Sequence, residues 1–183
     1  MSVAAVTASI PDRAGLLQEC RRSVAAQSMH VEHCVSVASV TELENRNRAL
    51  DLADQHSPEW YAFIDDDDLW MPQHIEAATE FFDEADIIVS DFTITGRDDW
   101  RPVLYPPWDT LLLHNWFGPS VVVARASVFG RWDTPEKDPP VDWIDHFKWR
   151  RLYEDGARFV YTNHRTAVIR FGPWGNGSYP WPS

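Results

Sequence analysis

The chain has 183 residues, 44% of them hydrophobic and 13% aromatic, enough for one domain with a sizeable core and too apolar for a disordered chain. Its formal net charge of −12 argues against non-specific binding to nucleic acid or anionic membrane, which select basic surfaces. Two cysteines make no disulfide framework, no apolar run reaches membrane-spanning length and the N-terminus has no basic leader, so buried free thiols and a cytoplasmic location are expected.

In chain order, Val3 to Ser9 reads as a strand, closed by Ile10-Pro11-Asp12. Leu16, Leu17, Cys20 and Val24 then recur at helical spacing from Arg13 to about Ala26. No Gly-x-Gly-x-x-Gly follows the strand, so a dinucleotide site is not indicated. Val31 to Ser39 alternates as a second strand, and Leu43 to Ala53 is a second helix with Arg46 and Arg48 near its start. In so acidic a chain Arg46 has two readings: a guanidinium clamping phosphate at a helix N-terminus, or an ion pair with Glu42 or Asp51.

Trp60 to Ile64 is a short buried strand by its aromatic and β-branched content, and it runs directly into Asp65-Asp66-Asp67-Asp68. Pro72 reads as the first residue of a helix reaching Phe82, which leaves the acids in a strand-to-helix loop, where open α/β sheets bind ligands. Four adjacent carboxylates repel one another, and a divalent cation is the simplest offset. Mn²⁺ and Mg²⁺ take carboxylate oxygens and complete their shells with water and substrate phosphate. A solvated acidic turn is the plainer alternative, but it would not need the Trp, Tyr, Phe, Ile and Leu that flank it. An EF-hand is excluded, because Trp70 stands where its loop requires Gly.

Beyond the loop come a strand from Asp86 to Asp91, a polar crossing from Gly96 to Pro107, a short helix near Asp109 to His114, and a β-branched strand from Pro119 to Arg125. A proline-containing loop from Gly130 to Pro140 precedes a helix from Asp142 to Asp155, stopped by Gly156. Arg158 to Tyr161 and Thr166 to Phe171 are two further strands, so residues 1–171 form one domain and 172–183 a C-terminal loop or flap. The order of elements argues for a mostly parallel α/β sheet flanked by helices. Of the ten Trp, any single one reads more safely as core than as a sugar-stacking platform. His114, His146 and His164 are candidate metal ligands without a spacing partner; His146 lies four residues after Asp142, on the same helix face.

The pattern resembles the family 2 glycosyltransferases of the GT-A, Rossmann-like fold, from Val3 to about Arg170. The resemblance rests on Ile10-Pro11-Asp12-Arg13, on Ser23-Val24-Ala25-Ala26-Gln27, on Arg46-Asn47, and above all on Phe63-Ile64-Asp65-Asp66-Asp67-Asp68-Leu69-Trp70-Met71-Pro72. The family's Glu-Asp-x-x-x-x-x-Arg-x-x-x-x-Gly is similar to the stretch from Val141-Asp142-Trp143 to Gly156. Its Asp-x-Ser-x-Asp after the second strand is replaced here by Ser39-Val40-Thr41-Glu42, and Val141 replaces its Glu.

The resemblance implies a metal-dependent, inverting transfer of sugar from a nucleotide-diphosphate donor, a UDP-sugar above others, to an acceptor hydroxyl, with Mn²⁺ or Mg²⁺ as cofactor. By it, Pro11, Arg13, Arg46, Asp65 and Asp66 fall on the donor side and Asp67 and Asp68 on the metal, with His146 or His164 as further candidates. Asp142 is the expected base, and as the first residue of its helix it is equally placed to be an N-cap. A non-catalytic nucleotide-sugar or carbohydrate-binding module and a sugar nucleotidyltransferase are the alternatives. The latter ordinarily opens with a Gly-rich phosphate loop, absent after Ser9, and the charge argues against a nucleic-acid acceptor.

Overall fold

A computed structural model describes residues 1–95, 107–112, 115, 117–133 and 144–170. Most of the Gly96 to Pro107 crossing, His114, the loop from 134 to 140, Asp142 and the 172–183 tail lie outside the described residues.

The first half alternates strand and helix as expected: β1 (Val3–Ser9), α1 (Ala14–Ala25), β2 (Glu32–Val37), α2 (Glu42–Asp54) and β3 (Trp60–Phe63). β1 and β3 are almost continuously buried, the pattern of strands covered on both faces. The start of α2 is set by Thr41, whose Oγ1 accepts the Glu44 N–H at 3.2 Å. Pro11 to Arg13 form a single 3₁₀ turn that leads the chain from β1 into α1.

The second half adds β4 (Leu69–Trp70), α3 (His74–Thr79), β5 (Ile87–Ile94), β6 (Val122–Arg125), α4 (Ala126–Phe129), α5 (Ile144–Glu154) and β7 (Phe159–Ile169). Gly156 ends α5 with φ of 85°, a conformation that favours glycine, and the Ala157 N–H returns to the Leu152 carbonyl. One sheet results, in the order β2-β1-β3-β6-β5-β7-β4. β1, β2, β3, β5 and β7 point one way; β6, wedged between β3 and β5, and β4 at the edge point the other. The fold is the expected α/β class with a mostly parallel sheet.

Tryptophan serves the core: Trp60, Trp70, Trp132 and Trp149 are buried, Trp60 stacking on Phe82 at 4.0 Å. Cys20 and Cys34 are buried free thiols, and burial pushes the Cys20 thiol up to about 12. No helix among the described residues is long and apolar enough to cross a membrane.

His74 is fully buried, stacked on Trp70 at 4.4 Å, with Nδ1 2.8 Å from Thr166 Oγ1 and Nε2 without a partner. Burial pulls its pKa from 6.5 down to about 3. The unfolded chain therefore binds a proton below about pH 6.5 that the folded chain refuses, so this residue costs stability as pH falls from 6.5 toward 3, by about 1.4 kcal/mol for each pH unit in that window. His74→Phe should lose less melting temperature than the parent on acidification across that range; parallel losses in the two proteins would refute the assignment.

Candidate active site

The carboxyl ends of β1 and β3, the start of β4 and the end of β7 converge on the acidic loop. Two side chains, Ser23 of α1 and Gln27 just past its end, fasten the chain that leaves the loop. Ser23 Oγ accepts the Trp70 N–H at 3.2 Å; Gln27 donates to the Met71 carbonyl at 2.9 Å and accepts the Ile75 N–H at 3.2 Å. Ser23 and Gln27 thus fasten the end of β4 and the turn into α3. On the other side Trp70 donates its indole N–H to the Ser120 carbonyl at 2.7 Å.

Within the loop the four carboxylates divide into two that turn inward and two that remain open. Asp66 is 1% exposed: Ser9 Oγ donates to its Oδ2 at 2.5 Å and Arg13 Nη1 pairs with its Oδ1. Asp68 is also buried, accepting from Ser120 Oγ at 2.6 Å and from the Arg170 N–H at 2.9 Å. Asp65 and Asp67 keep 35% and 24% of their side-chain surface. Arg46 Nη2 lies 3.2 Å from Asp65, and Arg13 Nη2 lies 3.2 Å from Asp67. Arg170 Nε donates to the Asp67 carbonyl while its Nη1 pairs with Glu19. Repulsion within the loop is therefore offset in part by Arg13, Arg46 and the backbone held by Arg170.

The balance is incomplete, because burial wins over these partners. Asp66 is pushed up to about 6, chiefly by burial against the opposing Ser9 bond and Arg13 charge. Burial likewise raises Asp67 and, well above the ordinary range, Asp68, with the charge of Asp65 next in both. A loop whose charges are still underpaid in this sense gains from a cation at its open side. The donor set fits Mn²⁺ or Mg²⁺: Asp67, with a second partly open carboxylate two positions before it, suits an ion that takes one or two carboxylates and phosphate oxygens, as opposed to an all-protein cage. No group of three or more His, Cys, Asp or Glu side chains that could hold an ion occurs among the described residues.

Other expected site residues are placed as follows. Arg46, 13% exposed, is ion-paired with Glu42 at 2.8 Å and with Asp65; of its two readings, the partner Glu42 is present and Asp51 instead pairs with Arg131. His146 is buried with Nε2 2.8 Å from the Leu111 carbonyl, tying α5 to the 3₁₀ turn at Trp108–Leu112. His164 is half-exposed on β7, 3.7 Å from Glu80. Asp142 is outside the described residues.

A carboxylate that the sequence reading did not single out is Asp145, in the first turn of α5. Asn115 Nδ2 donates to its Oδ2 at 3.1 Å. Burial raises its pKa, the charge of Arg46 opposes that rise, and the charge of Asp65 adds to it. The signal was in the motif's own spacing. Counted from Asp145, five residues lead to Arg151 and four more to Gly156, whereas counting from Asp142 puts Lys148 where Arg is required.

No family profile matches the sequence, and no curated protein matches it. Solved structures do. Residues 1–349 of S. aureus TarS superpose with a TM-score of 0.70 at 14% identity, over 93% of this chain and 60% of that one. The same TarS segment in complex with UDP gives 0.68 at 18% identity, over 94% and 61%. Its complex with UDP-GlcNAc gives 0.68 at 14%, over 93% and 58%. The chain thus spans about 60% of the length of these neighbours. At such identity the likeness concerns architecture: this chain has a glycosyltransferase-like, Rossmann-related GT-A fold.

Proposed function

We propose that the protein is a glycosyltransferase that takes a sugar from a nucleoside-diphosphate donor, a UDP-sugar, to an acceptor hydroxyl with inversion. The observation that carries this reading is the pair of partly open carboxylates, Asp65 and Asp67, at the carboxyl end of β3, each beside an arginine, with the Asp145 carboxylate of α5 acted on by the charges of Arg46 and Asp65. The fold shared with TarS, known in complexes with UDP and UDP-GlcNAc, supports the choice of donor.

In this reading Asp67 would hold Mn²⁺ or Mg²⁺, which would supply charge to the departing diphosphate as Lewis acid and template, and Asp65 would meet the nucleoside. Pro11 and Arg13, in the turn after β1, and Asp65 make up the donor side. Asp66 serves that side from within by holding Arg13, and Asp68 fixes the loop through Ser120. Asp145 takes the proton of the acceptor hydroxyl as that oxygen attacks, and a pKa raised by burial makes it the stronger base. Asn115 holds its carboxylate in direction.

Calorimetry with UDP tests the binding half. Affinity should depend on added Mn²⁺ and vanish with excess chelator, while the protein stays folded without metal. Equal UDP affinity with and without chelator would overturn metal dependence, and unfolding by chelator would instead indicate a structural ion.

A further inference from the structure

Arg46 sits in surroundings that fix its direction. Its Nε and Nη2 donate to Glu42 at 2.9 and 2.8 Å, and Nη2 also reaches Asp65 at 3.2 Å. Its guanidinium carbon lies 4.9 Å from the centroid of the Trp132 ring. A guanidinium is weakly hydrated and stacks well on an aromatic face, which leaves its in-plane N–H groups to meet carboxylates.

Trp132 is itself gripped. Its ring is buried edge-on against Phe63 at 5.2 Å, Phe129 at 5.0 Å and Trp149 at 5.5 Å. Its backbone is clipped by the residue next to Arg46: Asn47 Nδ2 donates to the Trp132 carbonyl at 3.1 Å, and the Trp132 N–H donates to Asn47 Oδ1 at 3.0 Å. Adjacent residues of α2 thus hold one tryptophan by its face and by its main chain. Trp149, which packs on that ring, is one helical turn beyond Asp145, so the same contact joins the acidic loop to α5.

A phosphate clamp needs a fork of N–H groups available to the ligand, whereas the Nε and Nη2 groups of Arg46 are engaged by Glu42 and Asp65. We propose that Arg46, Asn47 and Trp132 form a positioning device for the Asp65 carboxylate, through which Arg46 serves the nucleoside end of the donor and not its diphosphate. This rests on the donor reading of Asp65 given above.

The first test needs no ligand. The Nε–H resonance of Arg46, assigned by its loss in Arg46→Lys, should be ring-current shifted and slow to exchange in the parent. It should move toward the free-arginine position in Trp132→Leu and in Asn47→Ala, move little in Trp132→Phe, and respond to Asp65→Asn. Melting curves check that each variant is folded, and Trp132→Phe and Asn47→Asp stand in where Leu or Ala does not fold. An Arg46 signal indifferent to Trp132→Leu or Asn47→Ala, or to the stand-in used, overturns the device.

The second test compares uridine with UDP plus Mn²⁺ by calorimetry. Arg46→Gln should weaken both ligands by the same factor, about tenfold for the loss of a charged hydrogen-bond partner. Trp132→Leu should do likewise, and the double variant should be no worse than Arg46→Gln alone. Loss of UDP affinity with uridine unchanged would make Arg46 a diphosphate ligand and overturn the proposal. If the parent binds neither probe while the Arg46 resonance behaves as stated, the donor reading and the nucleoside role fail together, and the seat on Trp132 alone survives.

Discussion

Asp145→Asn should leave donor binding intact and remove transfer. General-base catalysis contributes about 10² to 10⁴-fold, and a loss of that order in kcat is the expected result. The substitution is conservative for structure: the Asn115 amide can still donate to the Asn side-chain oxygen, and giving up a charge in the first turn of α5 costs about 0.5 kcal/mol. The pH profile adds a second signature. Burial holds the Asp145 carboxyl above the ordinary carboxylate range, so the parent rate should fall with acid at a higher pH than a free aspartate would give, and the Asn variant's residual rate should lack that limb. Asp142→Asn is the discriminating control. If it abolishes transfer and Asp145→Asn does not, the base is Asp142; if neither does, the base lies elsewhere, and a parent protein that binds UDP but transfers to no acceptor is a binding module.

How far this site was legible can be argued residue by residue. β1, α2 and β3 announce themselves because each carries a local signal: continuous burial in the strands, and a capping Thr41 three residues before Glu44 at the helix start. β4 could not be read, since a two-residue strand at Leu69–Trp70 exists only because β7 pairs with it from nearly a hundred positions later. α3 is shorter than expected for a related reason: Pro72 stands in the turn that Ser28, Gln27 and Thr166 tie down, and the helix begins at His74. β7 was expected as two strands because Asn163, His164 and Arg165 interrupt its apolar pattern. The chain instead passes through Asn163 with φ of 57° and keeps pairing with β5 across a register shift.

In the acidic loop, residue type was legible and direction was not. Once a strand ends, side chains no longer alternate between two faces, so nothing in four identical residues tells which carboxylates will turn toward Ser9 and Ser120. The loop's internal counter-charges were equally hidden, because Arg13 and Arg170 are separated from it by fifty-odd and a hundred positions. Asp142 and Asp145 both stand near the start of one helix in the sequence; motif spacing favours Asp145, and its place in α5 is described while Asp142 lies outside the described residues.

The inward and outward aspartates should separate cleanly under truncation. Asp66→Ala leaves Ser9 Oγ and Arg13 Nη1 facing a buried gap, and losing one partner of a buried pair typically costs about 3 to 5 kcal/mol, which for a chain of this size lowers the melting temperature by roughly 10 °C. Asp66→Asn should be far milder. Burial already outweighs the attraction of Arg13 for this carboxylate, holding it near 6, so an uncharged isostere sheds that cost and still accepts from Ser9 or Arg13. Asp67→Ala should do the opposite. Its side chain is partly open and its loss leaves Arg13 still paired with Asp66, so the melting temperature should change little. Metal-dependent UDP binding should nonetheless weaken by more than the ~10 to 100-fold that removal of an outer partner of a metal ligand costs, because a direct ligand is gone. Scanning calorimetry and UDP titrations with Mn²⁺ on the same three proteins decide the matter. Melting losses at Asp67 and binding losses at Asp66 would exchange the two roles, and Asp66 would then be the residue that meets the metal.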